Sequence, residues 1–220
     1  MIFQGIDVVW DHRDELAAGF TNTLAFAMLG FAGALALGIL LAIVLMSRFR
    51  VAARIVLLFV ALMRCSPFLL LVYLVYYALP LYGLRLDNWT AGLLTLVVYN
   101  AAYVAEALKG GWLGVPKDQI EAGEAFGLFG LQLTRRVVLP AVFLSTVPTL
   151  GNQAIQVVKD SSFLAIIAVP ELTAVSNSIQ SNYYVPFAAF LSAIVLYWII
   201  CLGVETFVAI YDRRTRRYRG

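Results

Sequence analysis

Ser145, Thr149, Asn152, Gln156 and Lys159 follow one another at steps of 4, 3, 4 and 3. On a helix such steps return to one face, and the opposite positions carry valine, leucine and isoleucine. Hydroxyls, amides and an ammonium on one face suit hydrogen bonding to a polar solute along a path. The same groups also serve as bonds between helices, which Ser, Thr, Asn and Gln supply routinely in membranes. Gln153 and Thr146 fall off the stripe and read as packing residues. Asp160 stands beside Lys159; together they offer both signs needed to hold a zwitterion, or a simple interfacial ion pair.

Arg64 is the other candidate for solute contact, since its guanidinium fork matches a carboxylate bidentately. Ser66-Pro67 follows at once, so Arg64 could equally satisfy carbonyls freed where the proline interrupts a helix. Covalent chemistry has no support. The only histidine is His12, no Ser–His, Cys–His or metal-ligand cluster occurs, and no G-x-x-x-x-G-K-[ST] phosphate loop is present. Catalytic residues and a bound metal are therefore not expected. Cys65 and Cys201 read as small apolar packing residues.

The elements that position these groups are set by composition. The chain of 220 residues is 62% hydrophobic and 13% charged, whereas soluble domains carry about 25% charge. A hydrocarbon core about 30 Å thick needs about 20 apolar helical residues. Charge-free runs of that order span Leu16–Met46, Cys65–Leu84, Asn88–Ala105, Val137–Val158 and Leu172–Gly203. The expectation is an all-α integral membrane protein with five transmembrane helices, forming a single domain over residues 1–220. The acidic start, with Asp7, Asp11, Asp14 and Glu15, lacks the basic region of a signal peptide. The first span is therefore expected to be retained, its Thr21-Asn22-Thr23 end near the interface.

Basic residues give the orientation. With the N-terminus outside, the inner segments hold Arg48, Arg50, Arg54, Lys109, Lys117, Arg135, Arg136 and the RRTRRYR tail; the outer ones hold Arg13, Arg85 and Lys159. Positive charge on the inner side then puts the C-terminus inside, and the tail reads as a topological anchor rather than a nucleic-acid site. At about 1.5 Å per residue, Arg64 and Asn152 fall at comparable mid-membrane depth. Lys159 and Asp160 fall near the outer interface, and Glu106 and Glu205 near inner span ends. Lys109 lies one helical turn from Glu106 and can pair with it. After the fourth span, Phe163–Val169 is too short to cross and reads as a short outer or re-entrant helix ended by Pro170.

The largest inner loop, about 107–136, contains EAGEAFGLFGLQLTRRVVLP from Glu121 to Pro140. Pro116 suits a helix start, Ile120, Ala122, Ala125 and Phe126 recur at helical spacing, and Gly127 and Gly130 break the helix. On the residues alone this is either a knob for another protein's groove or an ordinary loop. The segment resembles the EAA motif of permease subunits in bacterial ABC importers, with Glu121, Ala122 and Gly123, then Gly127, and Val137, Leu139 and Pro140 closing it. Gly123 replaces alanine and Val137 replaces isoleucine. RCSPFLLLVYLVYYALP, AYVAEALKGGWLGVPKDQIEAG and NQAIQVVKDSSFLAIIAVPEL also resemble span regions of the amino-acid branch of that family.

That resemblance implies a subunit of the bacterial inner membrane that pairs with a second permease subunit. It implies two cytosolic ABC ATPases, which would bind ATP and Mg, and an extracytoplasmic protein that delivers the solute. Glu121, Ala122 and Gly123 would lie at the docking surface, with Gly127 making the turn. This chain would bind no cofactor and no nucleic acid, only a small polar solute and membrane lipid. An ion-driven secondary transporter is the alternative, although that class tends to show inverted repeats and acidic relays.

Overall fold

The computed structural model describes residues 2–216, and these are helical apart from short connections. The last residues of the basic tail, 217–220, lie outside the described residues. Helix α1 (Ile2–Asp11) leads into α2 (Arg13–Leu45), the longest element, which pairs along much of its length with α5 (Asn88–Leu113). Gly30, Ala34, Gly38 and Ala42 recur every four residues and are all buried. A Cβ at Gly38 would lie 2.5 Å from Val104 Cγ1, so the two backbones approach as small-residue ridges allow. Side chains on the outside of α2 and of the last helix, α10 (Pro186–Arg216), such as Met28, Leu40, Trp198 and Phe207, are apolar and exposed, as a surface bathed in lipid requires.

Among the described residues, four stretches are long and apolar enough to cross a membrane: Arg13–Leu45, Asn88–Leu113, Gly130–Ile167 and Pro186–Arg214. The expected second span, Cys65–Leu84, is not a straight crossing. Helix α3 (Arg50–Cys65) meets α4 (Phe68–Tyr73), which continues through Tyr82, at a bend of 108°. Pro67 cannot donate to the helix ladder, and the freed carbonyls find other donors. Ser66 Oγ donates to the Leu62 carbonyl at 2.7 Å and Tyr103 Oη to that of Arg64 at 3.4 Å. Beyond the bend, Phe68 and Val72 enter a core with Phe26, Leu96, Tyr99 and Val157. Asp87 caps α5, accepting bonds from the Thr90 hydroxyl and amide, which hold its pKa below the usual value.

The expected fifth span, Leu172–Gly203, also divides. Helix α9 (Leu172–Tyr183) ends where Tyr184 takes a left-handed conformation, and α10 (Pro186–Arg216) starts at the following proline. Absence of charge concealed a polar segment, since Ser176, Asn177, Ser178, Gln180, Ser181 and Asn182 all fall in α9. The short helix expected at Phe163–Val169 is a 3₁₀ turn over Ser162–Ile167, ended at Ala168 rather than Pro170. It packs inward, with Leu164 and Ile167 buried. Asn22 and Thr23, expected at the interface, tie this region down: Asn22 Nδ2 donates to the Pro170 carbonyl, and the Leu172 amide donates to Thr23 Oγ1.

Candidate functional site: a projecting helix and a polar membrane face

Helix α6 (Lys117–Ala125) begins after Pro116 and ends in a paired turn. The Leu128 amide donates to the Gly123 carbonyl at 3.0 Å, and that of Gly127 to Glu124 at 2.9 Å. This is the Schellman arrangement, which needs a left-handed residue just past the helix, and Gly127 supplies it at φ 78°. The chain then passes through α7 (Gly130–Leu133) and a wide turn over Thr134–Val138 directly into α8 (Leu139–Ser161).

Gly123 is the one buried residue of α6. A Cβ there would stand 2.5 Å from Leu133 Cδ1 and 3.1 Å from Val137 Cγ2, so the glycine lets α6 lie flat on the segment that becomes α8. Glu121, Ala122, Glu124, Ala125 and Phe126 all face outward. Phe126 is 87% exposed and Leu131 81%, so the projection presents an apolar tip beside carboxylates. Leu139 and Pro140 instead stand at the root of α8, apart from that tip.

On α8, all five stripe residues are exposed: Ser145, Thr149, Asn152, Gln156 and Lys159. The buried face comprises Val142, Thr146, Leu150, Gly151, Val157, Val158, Asp160 and Ser161. The stripe therefore points away from the chain's own core and bonds no other helix of it among the described residues. Ser145 Oγ donates only to the Val142 carbonyl, within its own helix.

Asp160 is not on that face. It is buried, accepting from Gln156 Nε2 at 2.8 Å and from Asn100 Nδ2 at 3.3 Å. Gln153 Nε2 donates to Asn100 Oδ1, so a residue read as packing joins a polar network inside the bundle. Asn100 was missed, although a lone amide within an apolar run is the signal that marks it. Lys159 and Asp160 thus do not act as a pair. Arg64 finds a partner that neither sequence reading supplied: its Nη1 lies 3.6 Å from Glu106 Oε1, while Lys109 Nζ lies 3.7 Å from Glu106 Oε2 as expected. Arg64 is a bridged residue at the bend, and Ser66 there serves the backbone.

Residues 34–217 match the family described as binding-protein-dependent transport system inner membrane component. The chain belongs to this family. The resemblance first carried by the Glu121–Pro140 motif therefore holds. The glutamine transport system permease protein GlnP of Escherichia coli (strain K12) is 32% identical over 210 residues, covering 94% of this chain and 96% of its own. The L-cystine transport system permease protein TcyB of Bacillus subtilis (strain 168) is 28% identical over 220 residues, with 97% and 94% covered. Among solved structures, an amino acid ABC transporter with histidines matches with a TM-score of 0.90 at 25% identity, over 95% of this chain and 98% of that one.

Proposed function

We propose that this chain is the permease subunit of an ATP-driven importer of amino acids or similar small polar solutes, in the bacterial cytoplasmic membrane. Its N-terminus faces out and its C-terminus in. It pairs with a second permease subunit, receives solute from an extracytoplasmic binding protein, and is driven by two cytosolic ATPases that hold ATP and Mg. The observation that carries this reading is the contact of Gly123 with Leu133 and Val137. It fastens the exposed docking helix to the root of α8, whose exposed side bears the polar stripe. A displacement imposed on α6 by a closing ATPase pair then moves α8 as a rigid body and reshapes the route lined by Thr149, Asn152 and Gln156. The relatives named for glutamine and cystine transport support an amino-acid class of solute.

Reconstitution with the ATPase and binding protein in proteoliposomes tests this. Uptake should require ATP and persist with a proton uncoupler present. Asn152→Leu should lower uptake at least about tenfold while the complex stays assembled, because it removes a donor and acceptor from the route and gains none. Uptake that collapses with the uncoupler would point to an ion-driven carrier, and full uptake by Asn152→Leu would return the α8 face to packing.

A further inference from the structure

Glu205 is an acidic residue on α10. Numbered from the end of its apolar run it belonged near the inner end of a span; the packing of α10 moves it deeper. Gly151 of α8 lies against Val208, and Val158 shares a packed cluster with Ile200. Glu205 sits between those two levels, beside the stretch of α8 that bears Asn152 and Gln156. Tyr211 and Asp212 follow six and seven residues later, about 9–10 Å further along the helix.

The Glu205 side chain is exposed and has no hydrogen bond or ion pair among the described residues. A carboxylate at that depth is costly against lipid and is found facing a water-filled cavity or a protein partner. Here a cavity is present. A groove of about 640 Å³ between α8 and α10 is lined by Asn152, Gln156, Lys159, Trp198, Cys201 and Glu205. By contrast, the grooves beside α1 and between α2 and α10 are almost wholly apolar. The polar groove thus holds a cation, an anion and two carboxamides.

We propose that Glu205 is the group that recognises the ammonium of a zwitterionic amino acid on this route, with Lys159 facing the carboxylate and Asn152 and Gln156 bonding the polar remainder. It rests on the importer reading above and extends it to the solute's charge pattern. Asp160, spent on Asn100 and Gln156, cannot fill this role, and Glu205 replaces it as the opposite sign to Lys159. The assignment explains why an acid is placed on α10 at the level of the α8 stripe.

The test uses the intact permease–ATPase complex in nanodiscs without binding protein, exposed to a panel of radiolabelled L-amino acids that includes L-glutamine and L-cystine. The wild type should retain at least one of them and should prefer it at least about tenfold over the same molecule lacking its ammonium. Glu205→Gln should lose that preference and weaken retention about tenfold or more, and Glu205→Asp should restore part of both. Elution of each variant with its ATPase at the wild-type position reports folding. Retention and preference unchanged in Glu205→Gln would overturn the assignment, as would a wild type that retains none of the panel. Dissociation of Glu205→Gln into single permease subunits would also overturn it, by making the groove a seam between copies. Failure of the wild type to hold an ATPase at all would defeat the importer reading itself, a separate outcome.

Discussion

Glu121→Lys should strip the ATPase from the detergent-solubilised permease while leaving the permease inserted and folded. Glu121 is exposed on α6 and has no ion-pair partner among the described residues, so its replacement removes nothing from the fold. The cost falls on the docked state. Breaking a buried charged contact across an interface costs about 2–5 kcal/mol, which at 1.4 kcal/mol per tenfold is about thirtyfold or more in affinity. Co-purification through a tag on the permease reads the effect directly. An ATPase that elutes with the variant as fully as with the wild type would place the docking surface elsewhere.

Glu171→Ala should damage the fold itself. Glu171 is fully buried at the start of α9, where its carboxylate accepts bonds from the Thr173 amide at 2.9 Å, the Ala174 amide at 2.8 Å and the Tyr197 hydroxyl at 2.6 Å. One side chain thus caps α9 and joins it to α10. Alanine leaves the Thr173 and Ala174 amides without an acceptor, and the Tyr197 hydroxyl with only Thr173 Oγ1 at 3.0 Å. With about 1–3 kcal/mol for each buried unsatisfied group, partly relieved by water, the expected loss is about 3–5 kcal/mol. Glu171→Gln keeps an acceptor oxygen and should lose much less. Thermal unfolding of the solubilised protein separates the two, and equal melting temperatures for alanine and glutamine would show that the three bonds contribute little.

The parts of the fold legible in the sequence were those governed by local rules. Length and hydropathy located α2 and α5, and glycines at positions 127 and 130 marked the end of α6. What escaped depended on partners distant in the chain. Pro67 announced an interruption, but the 108° turn depends on Phe68 and Val72 finding a core built from α2, α5 and α8. The division of Leu172–Gly203 was hidden because freedom from charge was equated with immersion in lipid, although the first part is rich in hydroxyls and amides. The α8 stripe was legible from spacing alone, and its outward direction came only from seeing which face the bundle buries. Asp160 illustrates the converse. Adjacent positions on a helix point about 100° apart, so standing beside Lys159 in sequence placed it on another face. Arg64 of α3 and Glu106 of α5 come together from separate helices, a pairing that no spacing rule contains.

On the proposed function, the exposed face of α8 lines a watery route in the assembled transporter. Cysteine scanning tests it most directly, in a background with Cys65 and Cys201 replaced. Thr149, Asn152 and Gln156 are compared with Leu150, Val157 and Val158 in their reaction with a membrane-impermeant thiol reagent, using the complex with its ATPase. The first three should be labelled at rates at least about tenfold above the second three. Those rates should change when the ATPases are trapped closed, because α6 and α8 move together. Thr149, Asn152 and Gln156 as inert as their buried neighbours, in both states, would contradict it and make the stripe a packed surface.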